Sequence, residues 1–317
     1  MQATSFRREL QQRILTLLWS LWTELGVSGW ERHHSAIGID VEPLVLATPV
    51  LVSVDPRLRD ESLDWCVRFG HLVSASRLRN LLARSTSDIR DAFGPYAATV
   101  TAHTHLRWPD ASRPWPYRST GKSHLADLRQ PALVQLRLRA LLGVSARAEV
   151  LRLFLAQPSA TMAASDLVGE GAYVKRSLAE ALESLKLAGV LEAINARNQI
   201  RYRLRTGPIG AAAFGELPIA SPSWHSVFSV LLELLRYADG SEGVPRPVAA
   251  AEVAGVSRRI ETELRILRVQ GPPQGSGDDL PPVFDRWALD LAGSLASAAC
   301  WSTSQQAALH GSGRPFP

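Results

Sequence analysis

Between residues 6 and 25 the apolar positions Leu10, Ile14, Leu17, Leu18, Leu21 and Leu25 recur at helical spacing and stop before Gly26. That phase predicts an amphipathic first helix. The same spacing predicts helices over 43–52, 61–69 and 74–82, with a glycine turn at Gly70. The YAATVTAHT stretch, about 97–104, reads as a short strand or extended segment. The RWPDASRPWPYRSTGKSH that follows is dense in proline, serine and glycine, and reads as an irregular connection with a domain boundary near residue 125. Helical phase returns over 131–142. Gly143 interrupts it and Ser145 is placed to cap SARAEVLRLFLAQP. Three more helices are predicted at 223–237, 249–269 and 283–299, and the HGSGRPFP tail reads as mobile.

The period changes inside YVKRSLAEALESLKLAGVLEAINARNQIRYRL. Up to Gly189 the apolar residues Val174, Leu178, Ala181, Leu182 and Leu185 form one helical stripe, with Lys175, Arg176, Glu180 and Glu183 on the other side. After Leu191 they alternate as on a strand: Ile200, Tyr202 and Leu204 inward, Arg201, Arg203 and Arg205 outward. Ahead of this lie SATM, able to form one short extended piece, and AASDLV, a short helix burying Ala164, Leu167 and Val168, with GEGAY as the turn. The order is helix, strand, helix, turn, helix, hairpin.

On these residues the segment from Ser145 to Arg205 resembles the winged helix-turn-helix transcriptional regulators of the bacterial ArsR and MarR-like superfamily. KRSLAEALESLKLAGVL matches the reading helix, and IRYRL the last strand of the wing. The resemblance implies that Tyr173, Lys175, Arg176 and Ser177 project into a major groove from the first turn of the helix. It also implies that Arg197 and Asn198 at the hairpin tip, with Arg201 and Arg203, hold backbone phosphates. Two positions depart from the pattern. Val174 stands where Ser or Thr is frequent, so the helix is expected to begin earlier, near Gly171. Glu180 stands where a basic or polar residue is frequent.

Composition changes this picture little. The chain has 317 residues, 46% hydrophobic, with a formal charge of +5. Lys122, Lys175 and Lys186 are the only lysines, so arginine carries nearly all the positive charge, and both a polyanionic partner and a GC-rich genome account for that. The local bias is sharper: residues 195–205 hold four arginines and no acid. FRRELQQRILTLLWSLW places arginines before an apolar run, but Glu9, Gln11 and Gln12 interrupt the approach and the run is short for a bilayer, so an amphipathic helix is read there. Cys66 and Cys300 form no disulfide framework.

Other chemistry finds little support. The GKS at Gly121 to Ser123 lacks the glycine and the preceding strand of a phosphate loop, with Pro116 where the glycine belongs. His103 and His105 would share a strand face, without further ligands nearby. Asp40, Glu42, Asp55, Asp60 and Asp64 lie at predicted turns and helix starts, where capping accounts for them, and Trp19, Trp22, Trp30 and Trp65 read as core. The helix–glycine–helix pattern over 60–84 also resembles a helix-turn-helix, a pattern common in any helical domain.

The expectation is therefore a mainly α chain with a central winged helix-turn-helix and a small β-hairpin wing, flanked by helical domains: 1–125, 126–210 for the winged helix, 211–302, and a tail at 303–317. The expected function is a sequence-specific regulator of transcription, a repressor, that binds double-stranded DNA as a cytoplasmic homodimer. It is read as not an enzyme, with no cofactor, metal or membrane partner, and with room for an effector protein or small molecule that the sequence does not name. The competing reading is a non-catalytic winged-helix subunit that docks protein in a larger complex.

Overall fold

A computed structural model describes residues 3–30, 32–196, 199–205, 214–241, 245–275, 277 and 279–301. It is mainly helical. The helices are α1 (Ala3–Leu25), α2 (Val41–Ala47), α3 (Pro56–Phe69), α4 (Ala75–Leu82), α5 (Ser87–His103), α6 (Val134–Leu142), α7 (Ala146–Ala156), α8 (Ala164–Gly171), α9 (Lys175–Leu187), α10 (Trp224–Gly240), α11 (Arg246–Leu267) and α12 (Leu280–Ala296). Among the described residues the sheet has two antiparallel strands, β1 (Leu191–Ala196) and β2 (Gln199–Leu204), in register from Leu191 opposite Leu204 to Ala196 opposite Gln199. No helix among the described residues is long and apolar enough to cross a membrane. The tail at 303–317 lies outside the described residues.

The chain forms two compact units, one of Met1–Leu21, Gly29–His34 and Pro222–Pro317, the other of Trp22–Ser28 and Ser35–Ser221. The boundary expected near residue 125 falls inside the second unit. In the first unit, the predicted stripe of α1 is buried at Phe6, Leu10, Ile14, Leu17, Leu18 and Leu21. Helix α10 packs on α11, and α11 on α12. His34 is fully buried there; its Nε2 donates to the Leu295 carbonyl at 3.0 Å and its Nδ1 accepts from the Ser20 hydroxyl at 2.8 Å. Burial lowers its pKa to about 4.

In the second unit, Trp22 and Trp65 meet edge to face in the core at 5.6 Å, whereas Trp30, in the first unit, is 93% exposed, contrary to the expectation that it is core. Residues 97–104 also depart from the reading. They form not a strand but the end of α5, because Phe93, Tyr96, Ala97 and Val100 fall on one buried helical stripe and the Thr99 hydroxyl donates back to the Pro95 carbonyl at 2.8 Å. Residues 36–39 lie between two other segments: Gly38 N–H donates to Ala220 at 2.8 Å and Ile39 N–H to Ala132 at 2.9 Å.

Candidate nucleic-acid interface

Helices α6 to α9 and the hairpin share one core built on Leu138, Leu151, Phe154, Leu167, Leu178, Leu182, Leu185, Tyr202 and Leu204. The Ser145 hydroxyl accepts from Ala148 N–H at 3.4 Å and caps α7 as expected. Between α7 and α8 the chain passes beside β2: Met162 and Tyr202 exchange two backbone hydrogen bonds of 2.8 Å. At the start of α8 the Asp166 carboxylate accepts from Ala163 N–H at 3.0 Å. The Tyr202 hydroxyl donates to Glu183 on α9, which fixes the hairpin against that helix.

Helix α9 buries Leu178, Ala181, Leu182 and Leu185 as the stripe predicts, but Val174 is 60% exposed because it is the N-cap and stands ahead of the buried face. The helix begins at Lys175, not near Gly171; residues up to Gly171 belong to α8. Val168, expected inside, is exposed, since Leu167 takes the core-facing position.

The predicted groove-facing residues separate into three groups. Lys175 and Arg176 are exposed on the first turn of α9, with Ser177 half-buried behind them. Arg176 reaches Glu180 one turn along at 2.9 Å, and Lys175 has no acidic partner among the described residues. Tyr173, by contrast, is turned inward, where its hydroxyl lies 2.9 Å from that of Ser74 and burial raises its pKa. On β2, Tyr202 and Leu204 are buried and Arg203 exposed, as alternation requires, and Arg205 just past the strand's end is exposed as well. Ile200 is nearly half exposed instead, because it lies toward the hairpin tip and away from the shared core. Arg201, partly exposed, donates to the Thr161 carbonyl at 2.6 Å and to Asp166 at 2.8 Å; Arg203 pairs with Glu192 across the hairpin. Arg197 and Asn198 lie outside the described residues.

The turn ahead of α9 is gripped by α4. Asn80 donates to the Ala172 carbonyl at 2.8 Å and Arg77 to Gly171 at 3.0 Å and Glu170 at 3.2 Å, while Arg84, just past the end of α4, donates to Gly169 at 2.9 Å. These carbonyls end α8, where a helix leaves its last acceptors without internal partners. The N-terminal turn of α4 is thereby occupied: Ser74 and Arg77 are both buried, so the helix-turn-helix pattern over 60–84 offers no free reading turn.

Behind that grip lies a buried cluster of charge. Arg77 forms a two-pronged pair with Asp40 at 2.7 Å and also binds Glu42. Arg139 forks onto Glu42 at 2.6 and 2.8 Å, and Arg152 donates to Glu149 at 2.8 Å. Gln135 bridges Asp40 and Glu149 at 3.0 and 3.3 Å while accepting from Val41 N–H. Three arginines thus balance three carboxylates, each 5% exposed or less. Burial alone would raise the Asp40 carboxyl, but Arg77 and Arg152 hold it well below the usual carboxylate range. Asp40 and Glu42 are therefore members of this cluster and do not act as simple caps; Asp55 does cap, accepting from Leu58 N–H at 3.1 Å. The signal in the sequence was a charged residue at a core phase: Arg139 is one turn beyond Gln135, and Glu149 and Arg152 lie among buried Ala148, Leu151 and Leu155.

The GKS stretch is likewise accounted for. The backbone N–H groups of Thr120, Gly121 and Ser123 donate to the Asp64 carboxylate at 3.0–3.1 Å, with the hydroxyls of Tyr117 and Ser119 beside them, so the amides a phosphate would need already bind a carboxylate. His103 ends α5 rather than a strand and bonds the Thr99 carbonyl at 2.9 Å; His105 follows the helix, so the shared face does not form. Cys66 is buried against the Tyr96 hydroxyl, and burial pushes its thiol up to about 12. Among the described residues no three His, Cys, Asp or Glu side chains gather in a metal-binding arrangement. Comparison with protein-family models, with curated proteins and with solved structures finds no match to this chain.

Proposed function

We propose that the chain is a winged-helix regulator that binds double-stranded DNA, with α9 entering the major groove and the β1–β2 hairpin lying along the adjacent backbone. One observation carries this reading: α9, which opens on the exposed cations Lys175 and Arg176, shares one small core with β2, whose outward Arg203 is followed by exposed Arg205 just past the strand's end. Lys175 and Arg176 contact base edges or phosphates, and Arg203 and Arg205 bind phosphates. Arg197 and Asn198 keep a proposed role at the tip from their place in the sequence alone. Tyr173 is reassigned from contact to support because it is turned inward, and Arg201 because it is already engaged by the Thr161 carbonyl and Asp166. A single helix covers few base pairs, so the proposal includes a homodimer on a symmetric site, acting as a cytoplasmic repressor without catalysis.

A second reading, protein docking through the same surface, is favoured by the acids on it: Arg176 pairs with Glu180 and Arg203 with Glu192. The weakness of such pairs favours the first reading. Exposed, solvent-screened pairs of this kind hold weakly enough for a phosphate to displace the carboxylate, and release of counterions favours the duplex further. Selection of binding sequences from a random duplex pool tests the choice. The full chain is expected to enrich a motif, and Lys175→Ala with Arg176→Ala to blur it. Absence of any enriched or retained duplex would favour docking.

A further inference from the structure

The second unit contains a feature that the DNA reading does not use. The turn between α8 and α9 requires a left-handed residue, and the chain supplies Ala172, at φ 49° and ψ 37°, where glycine is the usual solution. A residue with a Cβ occupies that region against a steric cost and stays there only when its surroundings fix it. What fixes it comes from α4. Arg77 and Asn80 on that helix, and Arg84 in the turn just past its end, together donate to the carbonyls of residues 169–172, with Asn80 bonding the strained residue itself. Arg77 is in turn immobilised by Asp40 and Glu42. The direction in which the chain leaves Ala172 sets where the first turn of α9 points.

We infer that α4 and the turn after it form a strut for the reading helix, and that Asn80 and Arg84 are positioning residues for the DNA interface proposed above. They hold Ala172 in its left-handed conformation and so aim Lys175 and Arg176, without touching the duplex. The inference rests on the DNA reading for its consequence and on the turn geometry for its basis, so the two are tested apart.

The experiment uses the full chain in four forms: wild type, Asn80→Ala, Ala172→Gly, and both changes together. Amide exchange is followed over residues 167–178, and binding to a random-sequence duplex pool is measured over a range of salt. Asn80→Ala is expected to speed exchange in that window roughly fivefold, the scale of one hydrogen bond to a partly buried carbonyl, and to weaken duplex binding with the salt slope unchanged, because no phosphate contact is lost. In the Ala172→Gly background the same change is expected to leave both readouts near wild type, since glycine keeps the left-handed turn without help. Arg84→Ala, which removes an exposed cation, should also leave the slope unchanged, and Arg84→Gln, still a donor to Gly169, should restore binding. Exchange unaffected by Asn80→Ala, or no recovery in the glycine background, overturns the strut. A salt slope lowered by about one in Arg84→Ala makes Arg84 a phosphate contact and overturns its positioning role. If wild type retains no duplex, the DNA reading fails while the exchange arm still decides the geometry.

Discussion

Arg77 is the side chain on which most of the second unit's polar interior converges. A buried ion pair is weak as a source of net stability, but breaking one by removing a single partner leaves a charge without compensation. Arg77→Met is therefore expected to cost about 3–5 kcal/mol in denaturant unfolding by stranding Asp40 and Glu42, whereas Arg176→Ala, exposed and paired only one turn along its own helix, should leave stability nearly unchanged. His34 gives a pH dependence of definite sign. Its folded pKa, about 4, lies below its ordinary 6.5, so the unfolded chain binds the extra proton and stability falls as pH drops from about 6.5 toward 4. The loss is about 3.5 kcal/mol at most, since each tenfold weakening of proton affinity corresponds to about 1.4 kcal/mol. His34→Gln should flatten stability across that window; an unchanged pH profile would contradict the account. Asp40, with its depressed pKa, adds a second loss only below its ordinary 3.8. Such residues were partly legible. Arg139, Glu149 and Arg152 stand at core phases of helical stripes, and that is visible in the sequence; that three arginines and three acids from distant segments meet is a tertiary fact no local pattern carries.

At the scale of elements, periodicity served best where one face is buried and the other solvated. Helix α9 and strand β2 met that condition, and their buried residues Leu178, Leu182, Tyr202 and Leu204 were foreseen. It failed for α5, whose YAATVTAHT stretch read as a short strand or extended segment, whereas burial of Phe93, Tyr96 and Val100 along one helical stripe overrides that local reading. The connection at 117–123 was foreseen as irregular, yet it is pinned: five donors converge on Asp64, whose carboxyl is held below its ordinary range by these bonds against the raising effect of burial. Asp64→Ala should destabilise the protein by on the order of 2–3 kcal/mol, as expected when donors to a charged acceptor lose it. Trypsin should then cut at Arg118 and Lys122 before the rest of the chain unfolds. Cleavage no faster than in wild type would mean the loop is held by something else.

At the scale of the molecule, the sequence divided the chain where composition shifts, near residue 125, whereas the compact units divide it by contact, and α1 passes from one to the other after Leu21. The N-terminal helices α2 to α5 and the segment from α6 to β2 belong to one unit, tied by the arginine–carboxylate cluster and by the grip of α4 on the α8–α9 turn. This ties the orientation of the proposed reading helix to elements more than ninety residues away in sequence. The central claim is that the start of α9 and the outer edge of β2 form one duplex-binding face. Fluorescence anisotropy of a labelled random-sequence duplex, titrated with the full chain at increasing salt, tests it most directly. Lys175, Arg176, Arg203 and Arg205 together predict log affinity falling against log salt with a slope of about −3 to −4 per chain, and Arg203→Ala with Arg205→Ala should reduce its magnitude by about 2. Affinity independent of salt, or a slope untouched by removal of both arginines, would contradict the account.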